Sequence, residues 1–195
     1  ADTAMNGNRL PVSITHYYNS CDSDKDEFGM GYGWRTSLHQ TLHKVLYNGE
    51  VEFVYTDGDG TEHFFKKNKD DQKKYSDQSG LSLTLEVGDE NITITDKGDN
   101  GMTFPLVSET PTEDAPETAK VLIQKIQDAI GNEVTVTALA DSPLKIASVT
   151  DGANRVTTLH YTDGRCDRIQ TPWQDEKNCV RFKYANGGLV KILHE

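Results

Sequence analysis

Apolar and polar positions alternate with a period of two along much of the chain. Leu81, Leu83, Leu85 and Val87 in LSLTLEV, Ile92 and Ile94 in NITIT, Val51, Phe53 and Tyr55 in VEFVY, and Val134 and Val136 in VTVT follow this rhythm. That spacing places one set of side chains on one face of an extended strand, so each segment predicts a half-buried β-strand. Between them stand YNGE, DGDG, VGDEN, DKGDNG, AIGNE, TDGAN, TDGR and ANGG. Asn-Gly and Asp-Gly pairs tolerate positive φ and close tight hairpins, so the chain predicts an antiparallel all-β fold.

One segment leaves two readings open. In EDAPETAKVLIQKIQDAIGN, Val121, Leu122, Lys125, Ile126 and Ala129 fall near a helical period. Pro105, Pro111 and Pro116 instead favour an extended loop, SETPTEDAPETAK, followed by a strand KVLIQKIQD that turns at Gly131-Asn132. This divides the chain into a β region over 1–107, a linker or loop over 108–120 and a repetitive region over 121–195.

The repetition has a fixed step. Tyr161 and Tyr184, Gly164 and Gly187, and Ile169 and Ile192 are each 23 residues apart, and Ile146 precedes Ile169 by the same interval. The copies read IASVTDGANRVTTLHYTDGRCDRI and IQTPWQDEKNCVRFKYANGGLVKI, with VLIQKIQDAIGNEVTVTALADSPLKI as a degenerate forerunner that has Ala138 in place of the tyrosine. Each copy predicts a β-hairpin. A lone hairpin cannot bury its apolar face, so successive copies stack edge to edge into a growing sheet. The residues before the repeats would then cover its first edge.

Composition narrows the function. With 20 basic and 31 acidic residues the net charge is −11, a field that repels nucleic-acid phosphates. The lysines of FFKKNKDDQKKY are interspersed with Asp70, Asp71 and Asp77, which suits a solvated hairpin tip. Cys21, Cys166 and Cys179 show no zinc-finger spacing; Cys166 and Cys179 either pair across neighbouring strands or stay reduced. No apolar run reaches the roughly 18 residues of a membrane span, and ADTAMNGNRL lacks the features of an export signal. The expectation is a fragment of a longer chain, its export signal elsewhere.

Candidate chemistry is sparse. Asp57 and Asp59 in DGDG lie where a hairpin needs its turn. Asp22, Asp24 and Asp26 imitate a calcium loop, but Glu27 and Gly33 occupy positions that need glycine and a bidentate glutamate. His16, His39, His43, His63, His160 and His194 form no HExxH pattern, and there is no nucleophile elbow. The expectation is no enzyme activity, metal or cofactor. Flat rings are the remaining chemistry: Trp173, after Pro172, and Trp34, with Tyr17, Tyr18 and Tyr32, can stack on sugar faces or pack into the sheet.

YTDGRCDRI and YANGGLVKI resemble the tyrosine–aspartate repeats of the Rhs/YD-repeat superfamily. LPVSITHYYNS, FGMGYGWRTSLHQTL and GEVEFVYTDGDGTEHFF resemble, in that order, the segment leading into the repeats of its bacterial members. On this resemblance the motif residues are Tyr161, Asp163, Gly164, Tyr184, Asn186 and Gly187. It implies a curved or spiralling open sheet in a larger secreted or cell-surface bacterial protein, a shell or scaffold that encapsulates or displays a C-terminal effector. Its partners would be the rest of its own chain and cell-wall or host polysaccharide, and the repeat motif carries no catalytic residues.

Overall fold

The computed structural model describes residues 3–5 and 10–194. The chain divides into two compact units: residues 1–39 with 58–60 and 133–195, and residues 40–57 with 61–132. Both are built from antiparallel strands in open sheets, and the single helical element among the described residues is a 3-10 turn at Ser20–Asp22.

The first unit starts with two strand pairs, β1 (Thr3–Met5) with β2 (Val12–Ile14) and β3 (His16–Tyr18) with β4 (Trp34–Thr36). The second unit is a meander of β5 (Thr41–Tyr47), β6 (Glu50–Thr56), β7 (Glu62–Lys67), β8 (Lys74–Asp77), β9 (Thr84–Val87), β10 (Asn91–Thr95) and β11 (Gly101–Pro105). Phe65, Leu85, Ile92 and Ile94 are essentially solvent-free at alternate positions, as period-two patterning predicts, whereas β6 departs from the half-buried expectation: Glu52, Val54 and Thr56 on its other face are buried along with Phe53 and Tyr55. Each buried Phe, Leu or Ile side chain contributes about 1.5–3 kcal/mol through burial.

The ambiguous segment is extended. It forms β12 (Val121–Leu122), paired with β5, and β13 (Lys125–Gln127), paired with β11. The meander therefore curls until its first and last strands both bond to one short stretch of chain, with no ladder joining β5 directly to β11 among the described residues. Upstream, Pro116 offers its carbonyl to Leu46 N–H at 2.8 Å, and Thr118 exchanges bonds with Lys44 on β5. Pairing to the edges of β5 and β11 decides against the helix, since all three prolines lie upstream of Val121. One strand starts later than its alternation suggests: Leu81 is exposed, because Ser79 and Leu81 donate their N–H groups to Asp77 and Ser82 has φ +57°.

The first unit resumes as β14 (Glu133–Leu139), β15 (Ser142–Thr150), β16 (Val156–Thr162), β17 (Arg165–Gln170), β18 (Val180–Ala185) and β19 (Gly188–His194), each paired with the next. The 23-residue step reappears as geometry. Pairing register slips at Thr137/Ala138, at His160/Tyr161 and at Lys183/Tyr184. A bulge of this kind bends and twists the strand, so the bend persists in the forerunner that has lost its tyrosine. Asp163-Gly164 and Asn186-Gly187 both have positive φ at both positions, as the two-residue hairpin turn requires.

Five-residue loops are closed by an aspartate. Asp57, Asp96, Asp128 and Asp151 each donate their N–H to the carbonyl four residues on and accept that residue's N–H on Oδ1. Asn100, Asn132 and Arg155 add a side-chain bond to the other carboxylate oxygen. DGDG is thus one instance of a recurring loop closure, its carboxylate used by its own backbone.

Candidate functional site

Within the first unit, the glycine-rich stretch Phe28–Gly33 lies against the two repeat turns. Gly29 accepts a bond from Cys166 N–H at 2.7 Å, and Tyr32 N–H donates to the Gly187 carbonyl at 2.9 Å. Asp26, at the head of the stretch, accepts from Gly31 N–H at 2.9 Å and from Arg165 Nε at 2.8 Å. The Arg165 guanidinium also lies near the Tyr32 and Tyr184 rings, at 5.6 and 5.8 Å from their centroids. Glycine is required where these surfaces meet. Gly31 has φ +95°, and a Cβ there would approach Leu189 N to 2.9 Å; at Gly187, φ +83°, it would fall 2.1 Å from the Tyr32 ring.

The repeat tyrosines staple strands together. Tyr161 Oη donates to the Ile146 carbonyl on β15 at 2.9 Å, and Tyr184 Oη donates to the Cys166 carbonyl on β17 at 2.7 Å. Each reaches back to the strand before its own. Burial pushes both phenols far above their ordinary range, which keeps them protonated donors. Cys166 and Cys179 are buried free thiols, and burial pushes the Cys166 thiol up as well.

Beside this contact opens a cleft of about 400 Å³, lined by Tyr18, Ser23, Tyr32, Trp34, Asn186 and Leu189 among others. Tyr18 and Trp34 meet with ring centroids 5.3 Å apart at a 48° tilt. The structure therefore brings one candidate sugar-stacking residue, Trp34, together with two further rings and a motif residue, Asn186. Trp173 does not line this cleft; it stands 58% exposed, with the Arg155 guanidinium 5.5 Å from its ring centroid.

Residues 1–65 match the model of a domain of unknown function, DUF6531. No curated protein matches the chain. The stretch similar to DUF6531 holds Asp26, the glycine-rich segment and all three rings of the cleft. Arg165, the repeat tyrosines and Asn186 lie beyond it.

The polar clusters are otherwise engaged. Asp22 accepts from Asn19 Nδ2 and Asp26 is bound by Gly31 and Arg165 as above, so two of the acidic loop's carboxylates are engaged by protein donors. Lys66, Lys73 and Lys74 pair with Glu52, Asp89 and Asp71, of which only Asp71 belongs to the lysine-rich segment itself. His39 is fully buried; Thr36 N–H donates to its Nδ1 at 3.0 Å, and burial, with Arg35 and His16 nearby, holds its pKa well below the usual imidazole value. Among the described residues, no three His, Cys, Asp or Glu side chains are grouped to hold a metal ion, and no helix is long and apolar enough to cross a membrane.

One arrangement escaped sequence reasoning. In the second unit Asp57 Oδ2 lies 3.0 Å from His63 Nε2, His63 Nδ1 lies 3.2 Å from Ser79 Oγ, and Ser79 Oγ donates to Asp77. The order Asp, His, Ser invites a nucleophilic reading. Yet the serine proton is directed at a carboxylate, and the nearby Ser79 and Leu81 N–H groups are also bound to Asp77, away from a developing oxyanion. The chain of bonds ties the Asp57 loop to the Asp77 turn. Nothing in the spacing of 57, 63, 77 and 79 signals it, because two separate turns supply the partners.

Proposed function

We propose that this chain is a non-catalytic structural segment of a larger, secreted or cell-surface Rhs-like protein, a YD-type β scaffold that encapsulates or displays an effector. The observation that carries this reading is the recurrence, at a 23-residue step, of the bulge, the two-residue turn and the strand-to-strand tyrosine bond. Repeats that place their best chemistry into one another's backbones spend it on rigidity. The match of residues 1–65 to DUF6531 is consistent with a distinct segment ahead of the repeats. Native-state hydrogen exchange tests the reading: a scaffold requires amides of β15 to β18 that exchange only through global unfolding. Exchange there through easy local opening would sink it.

The exposed Trp173 and the aromatic cleft favour a second reading, a carbohydrate-binding module acting at a cell wall or host surface. Saturable binding to a polysaccharide panel, with the β-type circular dichroism spectrum intact, is its test. Absence of binding leaves the scaffold alone.

A further inference from the structure

We propose that the cleft between Tyr18, Trp34, Tyr32 and the Asn186-Gly187 turn is a binding site for one uncharged pyranose residue, a role distinct from any at Trp173. The proposal rests on the second reading above; if it fails, the scaffold reading stands.

The aromatic surface is built and held. Tyr18 is 53% exposed and Tyr32 38% exposed, so two of the three aromatic residues that line the cleft are open to solvent. Their positions are nevertheless fixed by backbone. Trp34 N–H donates to the Gly31 carbonyl at 3.0 Å, and Tyr18 and Trp34 face each other in the β3–β4 ladder. A Cβ on Gly33 would come within 2.8 Å of the Tyr18 ring, so glycine there lets the ring lie against the main chain. Tyr32 lies on Gly187 with its own N–H bonded to that residue's carbonyl. A surface held this way loses little freedom on binding.

Its geometry selects among ligands of aromatic sites. Rings 5.3 Å apart and tilted by 48° touch one another and form a bent platform, with no space between them to enclose a methylated ammonium. A platform suits the flat C–H face of a pyranose. Ser23 and Asn186 add a hydroxyl and a carboxamide to the lining, groups that both donate and accept as sugar hydroxyls demand. Among the described residues none that lines the cleft is cationic; in the loop beside Ser23 the carboxylates of Asp22, Asp24, Asp26 and Glu27 outnumber Lys25, the Arg165 guanidinium near the Tyr32 ring is already paired with Asp26, and the chain carries −11, so uronic acids and phosphorylated polymers are disfavoured. About 400 Å³ lies at the lower end of small-ligand sites, enough for one ring with its substituents.

The test uses the whole chain with Trp173→Phe, which leaves Trp34 as the sole tryptophan reporter. Methyl β-glucoside, methyl β-galactoside and methyl β-N-acetylglucosaminide are titrated while Trp34 fluorescence and saturation-transfer NMR are followed. The expected result is a saturable shift for at least one glycoside. It should weaken at least about tenfold in Tyr18→Ala, with an unchanged circular dichroism spectrum. Glucuronic acid should bind more weakly than glucose, and tetramethylammonium should leave Trp34 unperturbed. No shift with any glycoside, binding undiminished by Tyr18→Ala in a folded variant, or preference for tetramethylammonium or the uronic acid overturns the proposal. Binding by the wild-type chain that disappears with Trp173→Phe also overturns it, while leaving the module reading intact.

Discussion

Asp26 and Arg165, separated by 139 positions in sequence, meet with Oδ2 and Nε 2.8 Å apart. The carboxylate also holds the Gly31 N–H, so one side chain sets the glycine-rich stretch and grips the first repeat turn at once. The side chains are 13% and 33% exposed, which shields the pair from much of the screening that weakens surface ion pairs. A double-mutant cycle with Asp26→Ala and Arg165→Ala should give a coupling of about 1–2 kcal/mol by urea denaturation. Strict additivity would mean that the contact contributes nothing beyond its parts.

The tyrosine staples are open to an atom-sized deletion. Tyr161→Phe and Tyr184→Phe each remove a hydroxyl and leave a backbone carbonyl short of a donor, which should cost about 1 kcal/mol apiece. Urea midpoints should fall with the slope unchanged. Gly187→Ala should do far more harm, because φ +83° and the Tyr32 ring both oppose a methyl group there. Equal effects from the three substitutions would contradict this ordering.

Hydrogen-bond-by-hydrogen-bond, these features differ in how far they could be read in advance. Strands such as β9 and β10 and the turns at Asp163-Gly164 and Asn186-Gly187 are local events, written in alternation and in residues that accept positive φ. The repeat step was likewise visible, since Tyr161 and Tyr184 stand in line. The segment 121–127 was ambiguous because its apolar run suits either period; what decided it was the availability of β5 and β11 as edges, a tertiary fact. Trp34 and Tyr32 were recognisable as flat rings. Their convergence with Asn186 was not, because it depends on a fold-back that carries residues 26–33 onto turns near the other end of the chain.

The Asp57, His63, Ser79 and Asp77 chain makes a prediction opposite to a catalytic one. His63 is 6% exposed and bonded on both ring nitrogens. His63→Phe keeps much of the volume but removes the bond to the Asp57 carboxylate, and should lower stability by about 1.5–3 kcal/mol. Ser79→Ala, at an exposed position, should cost less, and neither should change turnover of generic ester substrates above background. Ester hydrolysis by the parent chain that vanishes in Ser79→Ala would show that the chain of bonds is a nucleophile after all.

Thiol chemistry separates the three cysteines. Cys21 is exposed, whereas Cys166 and Cys179 are fully buried and reduced, and burial raises the Cys166 pKa so that little thiolate forms. Titration with an aromatic disulfide reagent at neutral pH should find one fast thiol in the native chain and all three in denaturant. Two fast native thiols would mean that the β17 and β18 region opens locally.

Acid should reach the loops before it reaches the core. Asn100, through its side chain and N–H, holds the Asp96 pKa below 3.8, and Asn132 does the same for Asp128. At Asp151 burial pushes the other way but is outweighed by Arg155, with the Ala153 N–H assisting. A carboxylate whose folded pKa lies below its unfolded value binds fewer protons when folded. Its stabilisation is complete above the unfolded value and disappears as pH falls through the folded one. The melting temperature should therefore not drop for lack of these bonds between pH 7 and pH 5, and should decline below about pH 4. Asp151, the one with its carboxylate out of solvent, should dominate. Asp151→Asn should lower stability at pH 7 and flatten the acid limb, since the variant has no proton to take up. An acid limb as steep as that of the parent would assign the decline to other carboxylates.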